Sequence, residues 1–510
     1  MARPIRAASV LDEALSFFKA GRLEEALASA ERAQRERRGD AAAAAVLAAR
    51  VDLRTGEVKS AIARLNPLFR SGRRATVVAT LLGIAHFRLG DRARGLHLIE
   101  GAFRDGRDAL ERSEAAYYRA WAAYSDRDLD VADRWVALAL DESVGIVYVR
   151  TLALSGWITE ARADYAVAAR AFRLALNALR TVGERDDELV ARILHSLSVY
   201  AAELFDHSLA SFVSTQAARF DWPASALLYQ FYTVLNLALA AASDGDIETA
   251  LDGLERAALL AVNRPILVAE ATLESAELYR LLGEMTAARR GLRQAADALR
   301  TVEWQRTDIN NQMVLLECAC AAARIDVSAA SEWLARYSAT PKKDAGWLAL
   351  TSDPRVKVLE LHARALVECA VGNAESGIRR LREVEAAWES LGYVRREAYA
   401  AADLANQGDV DARGRLAILL RTVPAHPLRT ATADVPEKTS QSNSVPVVAV
   451  ALSPAERRVL DGLVAGMSVR DMAKAWDRSE FTIRNHLKRL FAKFAVRSSA
   501  ALVAKALTRP

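Results

Sequence analysis

From about residue 8 to residue 420, apolar positions recur every three to four residues, and alternating runs of β-branched residues are almost absent. The pattern predicts helix after helix. Its punctuation repeats too: a turn residue is followed five positions later by a small one, as in Gly21 with Ala26, Gly56 with Ala61, Gly90 with Gly95, Gly245 with Ala250, Gly283 with Ala288 and Gly372 with Gly377. The first three glycines are 35 and 34 residues apart, the period of a two-helix solenoid unit. Glycine supplies the left-handed turn that ends one helix, and the small residue lets the next cross it closely. Asp164 with Ala169 fits the same pattern without glycine, and the spacing becomes irregular at 186–225 and 300–360.

Periodicity disappears at 421–450, in RTVPAHPLRTATADVPEKTSQSNSVPVVAV, which reads as a linker. It returns in the last 60 residues. Ser453, Pro454 and Glu456 form an N-cap, first-turn proline and capping-box acid; Val459, Leu460, Leu463 and Val464 follow on one face, and Gly466 ends the helix. Ser468 caps a second helix with Met472, Ala473 and Trp476 facing inward. Ser479 caps a third, where Ile483, Leu487, Leu490 and Phe494 form one buried stripe, so that Thr482, Arg484, Asn485, Lys488, Arg489 and Lys493 face outward. Short helices with a tight connection and a basic outer face describe a DNA-binding helix-turn-helix, in which Arg and Lys take phosphate or guanine and Asn reads adenine.

Charge sharpens this picture. The formal net charge of the chain is +5, but residues 452–510 hold 12 Lys and Arg against 5 Asp and Glu, a net of +7. The preceding residues therefore sum to about −2. The basic excess sits in one small unit, as an electrostatic footprint for a polyanion does. Arg470, Lys474 and Lys493 are further candidates for phosphate contact.

Two families resemble these patterns. The segments AGRLEEALASAERA, TGEVKSAIARL and LGDRARGLHLIEGAF look like tetratricopeptide (TPR) repeats, a resemblance covering about residues 8–420 in nine or ten hairpins. It implies a concave face that binds peptides, protein helices or small effectors. LSPAERRVL, GMSVRDMAKAW and SEFTIRNHLKRLFAKFAV are similar to the LuxR-type (GerE-like) helix-turn-helix of bacterial transcription regulators. That resemblance places the recognition helix at Ser479–Phe494. It puts Arg484, Asn485 and Lys488 on base edges, Thr482 and His486 near the backbone, and a pairing helix for homodimers at 498–507. Arg458, Arg478, Phe481, Ala495 and Ser499 depart from the family pattern.

Other chemistry is not in view. No P-loop, dinucleotide, zinc-protease or nucleophile-elbow motif occurs, and the seven histidines are scattered, so neither an enzyme nor a cofactor or metal site is expected. Cys318 and Cys320 lack a second ligand pair and read as buried thiols of a reducing compartment. The N-terminus does not read as a secretory signal, and the apolar run at 226–243 carries Gln230, Thr233 and Asn236, so a cytoplasmic protein without membrane insertion is expected. Aromatic residues gather between 117 and 165. They serve either helix packing or an effector groove, for which Tyr117, Tyr118, Trp121 and Tyr124 are the candidates.

The expected fold class is all-α, a TPR-like solenoid (1–420), a flexible linker (421–450) and a helix-turn-helix domain (451–510). The expected function is a regulator that binds double-stranded DNA and receives a protein or small-molecule effector on the solenoid. The rival is an adaptor whose helix-turn-helix has become a protein-binding module.

Overall fold

The structure is a computed structural model that describes residues 9–36, 40–307, 309–342 and 353–431, and in the terminal segment 458–460, 462–463, 467, 469–476, 483, 487 and 490. The chain divides into two compact units, 1–435 and 436–510. Among the described residues every regular element is a helix, and the first unit is a TPR-like solenoid of eleven consecutive hairpins, from Val10–Lys19 with Leu23–Glu36 to Val394–Asn406 with Val410–Leu419.

The second hairpin shows how the sequence builds one. Asp40 caps helix Ala41–Thr55 by accepting a hydrogen bond from the Ala43 N–H at 2.9 Å. Gly56, at φ 87°, turns the chain where a side chain would be strained, and Ala61 on Val58–Arg70 is fully buried. In the third hairpin, Ala75–Arg88 and Arg92–Asp105 meet backbone to backbone: a Cβ on Gly83 would lie 2.6 Å from Ile99 Cγ1 and 2.8 Å from the Gly95 carbonyl oxygen. Small residues at these crossings are a packing requirement.

The stretches with irregular spacing form hairpins as well: Asp187–Glu203 with His207–Arg219, and Ile309–Ile325 with Val327–Ala339. In the first of these the left-handed residue is Phe205, at φ 54°, where other repeats place glycine. The turn near 164 corrects the expected register by one residue. Ala163 is the left-handed residue, at φ 60°, and Ala168, fully buried, is the small residue five positions on. Asp164 instead caps the next helix, accepting from the Val167 N–H at 3.1 Å.

Residues 420–428, of which 421 onward were expected in the linker, pack onto the repeats: Leu420, Val423 and Leu428 are buried with Phe205, Leu281, Ala398 and Leu416. Arg429 Nη2 donates to the Leu420 carbonyl at 2.7 Å, and the His426 ring meets Phe205 edge-on with centroids 5.3 Å apart. Prolines here shape a close-packed turn around apolar anchors. The rest of that expected linker, 432–450, lies outside the described residues.

The array winds so that residues far apart in sequence meet. Tyr165 Oη donates to the Leu391 carbonyl at 2.8 Å, Arg127 Nη2 reaches Asp353 Oδ2 at 3.2 Å, and Arg395 pairs with Glu203. By length and composition the stretch Ala224–Ser243, with mean hydropathy 1.3, could cross a membrane. Its Phe231, Leu235 and Ala238 are buried against Leu254, Leu267 and Leu278. Burying each large apolar side chain of this kind contributes about 1.5–3 kcal/mol.

Candidate functional site

Two places hold the chemistry. The first is the terminal unit, whose core joins Val459, Leu460, Met472, Ala473, Ile483, Leu487 and Leu490, all buried. Ile483, Leu487 and Leu490 are helical and belong to the stripe read from the sequence; Phe494 lies outside the described residues. Gly462 sits where a Cβ would come within 2.8 Å of both Met472 Sδ and the Trp476 ring, so the first helix presses directly on Val469–Ala475. The Met467 N–H bonds the Gly462 carbonyl at 2.9 Å. Arg458, a departure from the expected pattern, places its guanidinium 4.8 Å from the Trp476 ring centroid, a cation–π contact on the edge of this core. Lys474 is exposed on Val469–Ala475, and Arg470 is on the same helix. Ser479, Thr482, Arg484, Asn485, His486, Lys488, Arg489 and Lys493, together with the expected pairing helix 498–507, lie outside the described residues.

The second place is a cavity of about 450 Å³ within the repeat unit. Its charged walls come from the first helices of several hairpins: His195 and Glu203 from Asp187–Glu203, Glu270, Glu274 and Glu277 from Pro265–Leu281, Glu317 and Arg324 from Ile309–Ile325, Arg355 and His362 from Pro354–Ala370 with Asp353 at its N-cap, and Arg395 and Arg396 from Val394–Asn406. Arg395 donates to Glu203 Oε1 from Nε at 3.1 Å and from Nη2 at 3.0 Å, and Arg396 donates to Glu317 at 2.8 Å. Arg324 is bidentate on Asp403 at 3.0 and 2.6 Å, and His362 Nε2 lies 2.9 Å from the same carboxylate. Burial alone would push the Asp403 carboxyl up; Arg324 and His362 outweigh it and hold the group well below the usual carboxylate range. Glu270 shows the opposite balance. Burial, reinforced by Glu317 and Glu274 against a hydrogen bond with Tyr232, pushes its carboxyl up to about 8. Burial also lowers the His195 imidazole to about 4, so it is neutral at pH 7.

Tyr117, Tyr118, Trp121 and Tyr124 are half-buried and pack helices together. Trp121 meets Phe87 edge-on at 5.4 Å, and Tyr117 meets Tyr118 at 5.0 Å. None of the four lines the 450 Å³ cavity. The acids that do line it carried a signal in the sequence: Glu270, Glu274 and Glu277 recur at i, i+4 and i+7, one acidic face on a largely apolar helix. Cys318 and Cys320 are buried, and burial raises both thiols well above their ordinary value, which makes them inert.

Fold and terminal residues together define an all-helical repeat protein ending in a helix-turn-helix domain. Residues 450–506 match the family described as "Bacterial regulatory proteins, luxR family", so this segment is a LuxR-family helix-turn-helix. Over 61 residues the chain is 38% identical to "Probable HTH-type transcriptional regulator GfsR" of Streptomyces halstedii, a match covering 12% of this chain and 25% of that relative. Among solved structures, the chain is similar to a Rap protein complexed with Competence and Sporulation Factor, with 13% identity, 74% of this chain and 99% of that one covered, and a TM-score of 0.42. It is also similar to the APC/C hetero-tetramer Cut9-Hcn1, with 15% identity, coverage of 83% and 93%, and a TM-score of 0.27.

Proposed function

We propose that this protein is a DNA-binding transcription regulator whose C-terminal helix-turn-helix binds promoter DNA and whose helical repeats receive a protein or small-molecule signal. The observation that carries the reading is the LuxR-family match at 450–506, and the buried Ile483, Leu487 and Leu490 support a recognition helix in that segment. Arg484, Asn485 and Lys488 are assigned to base edges. Ser479 and Thr482, with His486 and Arg489, are assigned to the DNA backbone. Arg470, Lys474 and Lys493 add phosphate contacts that set the salt dependence of binding. Residues 498–507 pair two copies on DNA, the chain between the repeats and the terminal domain acts as a flexible linker, and the protein works in the cytoplasm.

Genome-wide mapping of DNA bound by the full chain tests this reading. Discrete promoter-proximal sites are expected. A profile without discrete sites would favour the adaptor, with the helix-turn-helix facing a protein.

A further inference from the structure

The cavity in the repeats carries more acid than its arginines answer. Arg395 is engaged by Glu203, Arg396 by Glu317, Arg355 by Asp353 and Arg324 by Asp403, while Glu277 is held by Arg280 at 2.9 and 2.7 Å. Glu274 shares an arginine, and Glu270 has a hydrogen bond with the neutral Tyr232. The Glu274 carboxylate lies 3.7 Å from Arg395 Nη1, whose guanidinium already serves Glu203. Among the described residues no Lys, Arg or His nitrogen is within ion-pair distance of Glu270, although Glu270, Glu274 and Glu317 all line the same space.

Two further atoms point to a missing partner. Glu203 is 8% exposed; its Oε1 takes both Arg395 donors, while Oε2 is buried without any donor. Trp388, 3% exposed and also lining the cavity, has an indole N–H without an acceptor. Native interiors seldom leave such groups unpaired. In a cavity wall, the partner can be a ligand. The volume of about 450 Å³ falls among small-molecule sites, and Leu235, Leu239, Leu273 and Leu359 supply apolar wall.

We propose that this cavity binds a small organic amine, its ammonium seated between Glu270 and Glu274 with Glu203 Oε2 as a third acceptor, and an oxygen of the same ligand accepting from the Trp388 N–H. The inference rests on the reading of the repeats as the signal-receiving part and names the chemistry of the signal. An ammonium supplies positive charge beside Glu274 and draws the proton off the Glu270 carboxyl into solvent, and its hydrogen bonds to the two carboxylates are charge-assisted. An anionic ligand would meet arginines already committed to carboxylates and would add to the acid excess.

The test is a calorimetric titration of the full chain, without DNA, using tyramine against its alcohol counterpart tyrosol and 4-aminobutan-1-ol against butane-1,4-diol. The amines are expected to saturate one site and to bind about tenfold or more tighter than the alcohols. Glu270→Gln with Glu274→Gln should erase that preference while leaving the far-UV circular dichroism unchanged. Equal affinities for amine and alcohol, no saturable amine binding, or an amine preference that survives the paired substitution would overturn the proposal. The wild-type comparison alone decides the matter if the variant does not fold. Failure here with discrete DNA sites retained removes only the amine, whereas absence of DNA sites with amine binding intact removes the regulator reading and leaves the cavity assignment standing.

Discussion

Asp403 ties three repeats together, and its removal should be costly in a predictable way. Asp403 is 6% exposed, and its carboxylate holds Arg324 from the hairpin beginning at Ile309 and His362 from the hairpin beginning at Pro354. Among the described residues Arg324 has one other carboxylate within ion-pair distance, Glu277 at 3.7 Å, which is itself engaged by Arg280. Asp403→Ala therefore leaves a buried guanidinium largely unanswered, a defect that costs about 3–5 kcal/mol. Urea denaturation followed by circular dichroism should show the midpoint falling accordingly. Adding Arg324→Leu to Asp403→Leu should recover much of the loss, because a buried pair replaced by apolar side chains of similar size is often near neutral. The pH dependence follows from the depressed carboxyl. The contribution is present in full above the unfolded value of about 3.9 and is lost as pH falls from there through the lower folded value. A loss below about 1 kcal/mol for Asp403→Ala, or no recovery in the double variant, would refute the buried-triad account.

Two other outcomes follow from the repeats. Because the Glu270 carboxyl is pushed up to about 8, the folded state holds a proton that the unfolded chain has released between the unfolded value near 4.3 and that point, so this group costs stability as pH rises across the window. Glu270→Gln should raise the thermal midpoint, more at pH 9 than at pH 5, and a gain independent of pH would contradict the assignment. Ala163→Gly should stabilise by roughly 1 kcal/mol, measured by urea titration, since Ala163 stands at φ 60°; destabilisation would show that the turn carries no strain.

The hairpins were legible because their determinants are local. A left-handed turn and a buried small residue five positions on sit within one repeat, as Gly56 and Ala61 do. The signal weakened where Ala163 and Phe205 take the left-handed position, since nothing in those residue types announces it. Prolines near 424–427 suggested a linker, yet Val423 and Leu428 are buried in a cluster with Phe205 and Leu281, residues far away in sequence. The cavity was hidden for the same reason: Glu203 and Arg395 are 192 residues apart and meet only through the winding of the array. In the terminal unit the stripe of Ile483, Leu487 and Leu490 was legible from helical spacing alone, whereas the contact of Arg458 with Trp476 needed the packing of two helices.

The central claim is that the outer face of the last predicted recognition helix meets DNA. Fluorescence anisotropy of wild type and the Arg484→Ala, Lys488→Ala double variant against a mapped site, at several salt concentrations, tests it most directly. The account predicts a loss of about 1–3 kcal/mol for each base contact removed, with folding unchanged and an affinity that falls with salt in proportion to the phosphates neutralised. Equal affinities for the two folded proteins would contradict it and leave the basic face turned to water or to a protein.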